Sequence, residues 1–99
     1  MAMTPRRLRR VLRWWPPFVF SGIRVLEIAD ESGVYCGKLL ADMGADVVKI
    51  ERPGGDATRG IPPCHGRHSL FFLYMNTSKR GVTLDLQHAQ GQALFRRLA

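Results

Sequence analysis

Arg52 is the residue of this chain whose type and position point most directly to chemistry. It follows an apolar run and precedes the turn sequence PGGD at residues 53–56. In a dinucleotide-binding fold, a basic residue after the second strand commonly meets a phosphate near the adenosine ribose, because a guanidinium matches phosphate oxygens bidentately. The position therefore predicts a phosphate-binding arginine. The alternative is a surface arginine paired with Glu51 or Asp56.

The acidic turn DESG at residues 30–33 is a second candidate site. A turn between a strand and the N-terminus of a helix is where doubly wound folds place ligands. However, Gly33 and Gly37 do not complete a GxGxxG pattern, and the two acids of the turn would repel a pyrophosphate. A dinucleotide site of that kind is not expected. The alternative is a simple helix start with Ser32 as its N-cap.

The other ionisable residues carry weaker signals. Lys79 and Arg80 lie in a polar turn, which indicates either a second phosphate contact or a solvent-exposed basic turn. Asp85 ends an alternating segment and is expected to cap the backbone of the next helix. No metal-ligand spacing joins the three histidines, and no nucleophile lies beside a base. We therefore assign no metal site and no catalytic residue.

The elements that must position these residues follow the order strand, helix, strand. Residues 23–29 (IRVLEIA) form a β-branched run typical of a strand, and residues 46–52 form a second one. Between them an i, i+3, i+4, i+7 stripe predicts an amphipathic helix that ends at Gly44. The stripe consists of Cys36, Leu39, Leu40 and Met43. Such an order predicts a right-handed βαβ unit with parallel strands.

For the second half of the chain, the sequence pattern predicts the elements in less detail. Residues 53–69 are expected to be a loop, and a loop of that length commonly indicates function. Residues 70–75 fit a buried strand or one helical turn. Residues 82–86 alternate as a strand, and from Gln87 a helix is expected with one apolar face. The face comprises Ala89, Ala93, Leu94 and Leu98. Because the chain stops where a third βα unit would continue, we expect an incomplete domain; the alternative is a small unit completed by oligomerisation.

Charge and composition narrow the function classes. The 99 residues allow one domain, and their net charge of +7 is concentrated at the start, where residues 1–20 hold five arginines and no acid. We interpret this basic extension as disordered or as a misassigned start, the alternatives being a membrane-surface anchor or a partner-binding arm. A small basic nucleic-acid-binding protein is a further alternative. Two cysteines without CxxC spacing and no cleavable signal indicate a cytoplasmic chain with reduced thiols, and no apolar run is long enough to span a membrane.

Two long motifs give the sequence a family resemblance. Residues 39–56 read LLADMGADVVKIERPGGD, and residues 76–86 read NTSKRGVTLDL. Together with the run at residues 22–27 (GIRVLE), they resemble the N-terminal part of class III CoA-transferases over residues 21–99. The resemblance implies a Rossmann-like α/β large domain that binds coenzyme A as a substrate, with no permanently bound cofactor. It also implies two chains interlocked as a homodimer.

The resemblance also implies which residues contact coenzyme A. They belong to the first βα loop, to the position after the second strand and to the LDL segment. Carried over by position, they are Glu31, Ser32, Arg52, Thr83, Leu84, Asp85 and Leu86. Arg52 would meet the nucleotide portion, and residues 83–86 would line the adenine. The acids of the first loop depart from the histidine or glutamine that members of known specificity often carry, which leaves the substrate open.

The reaction implied by the resemblance moves CoA from an acyl-CoA to a carboxylic acid through covalent intermediates on one aspartate. In the family that aspartate lies beyond position 99, so no aspartate here receives that role. We therefore expect a chain that is inactive alone. The alternatives are a racemase-like member, which exchanges the α-proton of an acyl-CoA, and a stand-alone module that binds CoA or a nucleotide.

Overall fold

The computed structural model describes residues 18–99, so residues 1–17 of the predicted basic extension lie outside the described part of the chain. Its elements follow one another along the chain as β1 (Arg24–Glu27), α1 (Val34–Asp42), β2 (Asp46–Glu51), a 3₁₀ turn (Ala57–Gly60), β3 (Cys64–His65), β4 (His68–Ser69), α2 (Leu70–Met75), β5 (Arg80–Thr83) and α3 (Ala89–Leu98). The central sheet has the order β1-β2-β5 and all its pairs are parallel. The α/β fold with a parallel βαβ unit is therefore confirmed.

The sheet separates two small hydrophobic clusters. Val47 packs with Ala41 and Ala45 on the side that α1 covers. Val48 and Ile50 pack with Leu84 on the other side, where half-buried side chains of α3 pack against this cluster. β2 lies between the other two strands, so five of its six residues are buried. Because successive side chains of a strand alternate between faces, the run VVKI supplies both clusters and turns Lys49 toward the α1 side.

Helix α1 has the expected position but a different buried face. Val34, Gly37, Lys38 and Ala41 are buried, whereas the predicted stripe residues Cys36, Leu39 and Met43 are exposed. Of the predicted stripe, Leu40 alone packs against the core, and it is half-buried. A helix presents several possible stripes, and the contact with β1 selects the one that contains glycine.

The start of α1 also differs from the prediction. Gly33 is the N-cap and makes no side-chain cap bond, so the assignment of Ser32 as the cap is wrong. Instead, the Ser32 N–H donates to Asp30 Oδ1 at 2.9 Å. The aspartate thus closes an Asx turn one residue before the helix, and the serine hydroxyl is left exposed.

The long loop after β2 contains regular structure that the sequence pattern did not reveal. The 3₁₀ turn is capped by Asp56, whose side chain accepts from the Thr58 N–H, and β3 and β4 form an antiparallel hairpin. Residues 70–75 form helix α2, capped by Ser69, which settles the choice between strand and helix. The expectation of an unstructured loop over residues 53–69 is therefore wrong.

The last two elements are shifted. β5 runs over Arg80–Thr83, two residues earlier than predicted, because pairing with β2 ends at Thr83. Helix α3 buries Gly91 and packs Phe95 and Leu98 against the core. Of the apolar face predicted for it, Ala89, Ala93 and Leu94 are exposed. A β-carbon on Gly91 would overlap the Asp85 carbonyl oxygen, so this glycine permits the close approach of α3 to the preceding turn. In the described part of the chain, no helix has the length and apolar character needed to cross a membrane.

Candidate functional site

The carboxyl ends of the three parallel strands surround two adjoining cavities. The first, of about 390 Å³, lies between the end of β1 and the turn after β2. The second, of about 410 Å³, lies between the end of β2 and the segment after β5. Arg52 lines both, together with Ile28 and Ile50. This edge is where open α/β sheets bind their ligands.

The Arg52 side chain is exposed and, within the described residues, makes one hydrogen bond, to the backbone. Its Nε donates to the Gly55 carbonyl at 3.1 Å. Within residues 18–99 no carboxylate lies within ion-pair distance of it, so the alternative of a pair with Glu51 or Asp56 is wrong. Those two acids bind other cations. The guanidinium is thus available at the junction of the cavities.

Glu51 is bound by Arg59 through two hydrogen bonds. Nε and Nη2 of Arg59 donate to the two carboxylate oxygens, each at 2.7 Å, and the guanidinium also lies 4.0 Å from the centre of the Phe72 ring. The Asp56 N–H donates to the same carboxylate at 3.0 Å. These hydrogen bonds, that of Arg59 first, lower the pKa of Glu51 below its ordinary value. The Glu51 carboxylate is therefore ionised, and the guanidinium of Arg59 compensates its charge beside the first cavity.

Four charged side chains form a buried network under the same cavity, and we call it the Lys49 network: Glu27, Lys49, Asp56 and Lys79. Glu27 accepts from Lys79 at 2.8 and 3.0 Å and from Lys49 at 3.3 Å. Lys49 Nζ also lies 2.9 Å from Asp56 Oδ2. Burial tends to raise the pKa of Asp56, but hydrogen bonds from Thr58 and Lys49 outweigh it and lower that pKa. The buried Glu27 and the part-buried Asp56 thus each have a cationic partner, as burial requires.

The structure assigns Lys79 a role that neither sequence interpretation anticipated. Its side chain is 2% exposed, so it is neither a phosphate contact nor part of a solvent-exposed turn. Besides Glu27 it donates to the Val34 carbonyl and to Asn76 Oδ1. Burial lowers the pKa of Lys79, because a low-dielectric environment disfavours the charged form. Arg80, by contrast, is exposed and pairs with Asp46.

The structure brings together four of the seven residues that the resemblance assigns to coenzyme A. Arg52, Leu84, Asp85 and Leu86 line the second cavity. The other three are exposed and line neither cavity: Glu31, Ser32 and Thr83. Asp85 Oδ1 accepts from the Gln87 N–H at 3.0 Å, in the turn before α3. The N-cap of α3 is His88 and makes no side-chain cap bond, so the expectation that Asp85 caps this helix is wrong. Across residues 18–99 no group of three or more potential ligands could hold a metal ion.

Sequence reasoning missed Glu27, Lys49 and Arg59. Two of them carried a signal: each is a charged residue flanked by apolar residues inside a predicted strand, which places it against the core. In the observed register Glu27 stands directly opposite Lys49. Opposite charges at facing positions of neighbouring strands predict a pair. Arg59 carried no such signal, since its partner depends on the course of the loop.

Comparison with known proteins identifies the family of the chain. The family model described as CoA-transferase family III matches residues 20–99. A subunit of succinyl-CoA:(R)-benzylsuccinate CoA-transferase from Thauera aromatica is 40% identical over 84 residues, which cover 80% of this chain and 20% of the relative. The succinate–glutarate CoA-transferase of Agrobacterium fabrum is 44% identical over 92 residues, covering 84% of this chain and 22% of the relative.

A solved structure shows the same arrangement of elements. It is the crystal structure of a CAIB/BAIF family protein from Brucella suis, with 36% identity and a TM-score of 0.75 over 84% of this chain and 24% of that one. The chain therefore spans about a fifth to a quarter of the length of these relatives. Since the family model covers most of the chain and the fold matches, the chain belongs to CoA-transferase family III.

Proposed function

We propose that residues 18–99 form part of the coenzyme A site of an enzyme that moves CoA between an acyl-CoA and a carboxylic acid. The observation that carries this proposal is the position of Arg52, an exposed arginine with no carboxylate partner in the described part of the chain, where two cavities meet at the carboxyl edge of the sheet. The relatives named above are CoA-transferases, which favours group transfer over racemisation.

The charges around the first cavity suit a phosphate at Arg52. Glu51 and Asp56 line this cavity, but Arg59 and Lys49 neutralise them. Asp30 also lines it, in the turn after β1, and accepts from the Ser32 N–H; it has no cationic partner within residues 18–99, so a phosphate is favoured on the β2 side of the cavity, at Arg52. Among the described residues that line this cavity, Arg52 therefore has the guanidinium that is free to bind a phosphate of the CoA nucleotide, and a fork geometry suits that ligand.

The second cavity suits the adenine. Its wall carries the apolar side chains of Ile28, Ile50, Leu84 and Leu86, with Asp85 and Pro53 at the same face. Largely apolar walls with a few polar groups are typical of small-molecule sites. In this proposal the adenine packs on the Leu84–Leu86 segment, while Arg52 holds the phosphate next to it. Glu31, Ser32 and Thr83 are the outer contacts that the resemblance adds.

The same proposal covers the activity and assembly of the chain. Glu27, Glu51 and Asp56 are each bound by a cation, so these three carboxylates are not free to attack a thioester. The resemblance assigns the attacking carboxylate to no aspartate of this chain, and we therefore propose that the chain binds CoA without turnover by itself. The interlocked homodimer and the cytoplasmic location belong to the proposal as well; the free thiols of Cys36 and Cys64 suit a reducing compartment. Sedimentation of the purified chain tests the dimer.

The experiment is a calorimetric titration of the chain with CoA and with 3′-dephospho-CoA. Wild type should bind CoA saturably, and Arg52→Ala should weaken it about tenfold, the loss of one charge-assisted hydrogen bond. Arg96→Ala, which removes an exposed arginine from α3, is the matched control and should bind as wild type does.

The dephosphorylated ligand tests which group Arg52 meets. If the guanidinium binds the 3′-phosphate, wild type should bind 3′-dephospho-CoA more weakly than CoA, whereas Arg52→Ala should bind the two ligands equally. Equal losses in both proteins would move Arg52 to another part of CoA. Absence of binding by folded wild-type chain would overturn the proposal.

A further inference from the structure

We propose that Lys49 is a positioning residue that holds the two walls of the first cavity at a fixed separation and thereby places Arg52. As a statement about CoA binding this rests on the proposed function; as a statement about the cavity it does not. Lys49 projects from the central strand, and its side chain is 3% exposed. It lines neither cavity, so any influence on a ligand must act through other residues.

The contacts of the Lys49 ammonium reach both walls. Nζ lies 2.9 Å from Asp56 Oδ2, in the turn after β2, and 3.5 Å from the Ala29 carbonyl, just beyond β1. Ala29 and Asp56 both line the first cavity. A third contact, 3.3 Å to Glu27 Oε2, fixes the ammonium against β1. One buried cation thus joins two chain segments that are 27 positions apart in sequence and face the same cavity.

The link from Asp56 to Arg52 is short. Asp56 is next to Gly55, whose carbonyl accepts from Arg52 Nε and whose N–H donates to the Arg52 carbonyl at 3.0 Å. The turn of residues 52–56 is therefore closed on itself. Anchoring its last residue sets the position of the whole turn, including the guanidinium. A binding group is useful only when its supporting contacts fix it in this way.

The charge of Lys49 is needed, not merely its bulk. In residues 18–99 Asp56 has no other cation within ion-pair distance, whereas Glu27 retains Lys79. Replacing Lys49 by an apolar residue would leave the Asp56 carboxylate part-buried and uncompensated, so it would move toward water. Movement of Asp56 would carry the turn, and Arg52 with it, away from Ala29.

The first test measures amide hydrogen exchange by NMR in Lys49→Met and Asp56→Asn. Asp56→Asn is the milder variant, because an amide oxygen can still accept from the Thr58 N–H at 2.9 Å while the ion pair is lost. Lys38→Met is the matched control, since Lys38 is a buried lysine that pairs with Asp42 on α1, away from the cavities. In the two test variants the Gly55, Asp56 and Thr58 amides should exchange at least about tenfold faster relative to the β2 amides, the effect of losing one charged contact.

The outcome at the turn decides the positioning role. Unchanged exchange in Asp56→Asn, or an equal increase in Lys38→Met, would overturn it, because the effect would then be absent or one of general stability. Lys49→Met removes the Glu27 contact as well as the Asp56 contact, so if this variant does not fold, Asp56→Asn decides alone.

The second test is a CoA titration of the same variants. Asp56→Asn and Lys49→Met should weaken CoA binding by about the tenfold factor expected for Arg52→Ala, and Lys38→Met should not. Faster exchange at the turn with unchanged CoA affinity would overturn the link to Arg52. Faster exchange in a protein whose wild type binds no CoA would overturn the proposed function and leave the role of Lys49 in holding the cavity walls intact.

Discussion

Lys79 Nζ lies 2.8 Å from Glu27 Oε1, although 52 positions separate the two residues and neither side chain is more than 5% exposed. The pair joins the turn before β5 to the end of β1, and the lysine donates in addition to the Val34 carbonyl at the start of α1. Three elements of the fold therefore meet at one ion pair. Breaking a buried pair of this kind by removing one partner typically costs about 3–5 kcal/mol.

The Glu27 carboxylate also explains why α1 carries a glycine on its buried face. A β-carbon on Gly37 would overlap Glu27 Oε1, and that carboxylate cannot move without losing its lysine contacts. Gly37→Ala should therefore lower the free energy of unfolding by about 1–3 kcal/mol, the cost of overpacking, despite the better helix propensity of alanine. Urea denaturation at neutral pH measures the change.

The control for Gly37 is a glycine with free space around it. Nothing lies within 4 Å of a β-carbon on Gly81, and its φ is not in the left-handed region. Gly81→Ala should leave stability unchanged or raise it by up to about 1 kcal/mol, because alanine restricts the unfolded chain. A stable Gly37→Ala protein would show that Glu27 and its lysines can rearrange together.

Acid should weaken the fold through Glu51. Its pKa is lowered from the ordinary value of 4.5 by the hydrogen bonds from Arg59, so the stabilisation is fully present above 4.5 and is lost as the pH falls through the folded pKa. Glu51→Gln should be less stable than wild type by about 1 kcal/mol at pH 7, since Arg59 is half exposed, and the difference should shrink in acid. Thermal denaturation of both proteins between pH 7 and pH 2 measures this difference in stability.

Glu31→Gln controls for the loss of one negative charge. Glu31 is exposed and has no cationic partner within residues 18–99, so its replacement should change stability by less than about 0.5 kcal/mol at pH 7. A difference between wild type and Glu51→Gln that stays constant down to pH 2 would contradict the ion pair with Arg59.

Ser69 caps α2, whereas Ser32, which the sequence predicted as the cap of α1, caps no helix. Ser69 Oγ accepts from the Phe72 N–H at 3.2 Å and donates to the Ile61 carbonyl, so Ser69→Ala should lower the free energy of unfolding by about 1 kcal/mol or more. Ser32→Ala should be neutral, because Gly33 is the N-cap of α1 and the serine side chain is exposed. Urea denaturation of the two variants side by side measures both. A larger loss in Ser32→Ala would contradict the observed start of α1.

The sequence by itself determined the order of the elements and the family. Strand runs such as residues 46–51 and the glycine that ends α1 are local signals, readable from a few neighbouring residues, and two long motifs carried the resemblance to CoA-transferases. It also indicated Arg52, because the end of the second strand is a position defined by the order of elements. These features need no knowledge of which segments touch.

The tertiary structure alone decided what surrounds Arg52. The buried face of α1 depends on which stripe meets Glu27, and the partners of Lys79, Arg59 and Asp56 depend on how the loops fold over the sheet. The sequence placed Lys79 in a polar turn because its neighbours are polar, yet folding buries it against Glu27, 52 positions away. An ion pair forms between charged side chains that are close in space, and the distances between residues far apart in sequence are set only when the chain has folded.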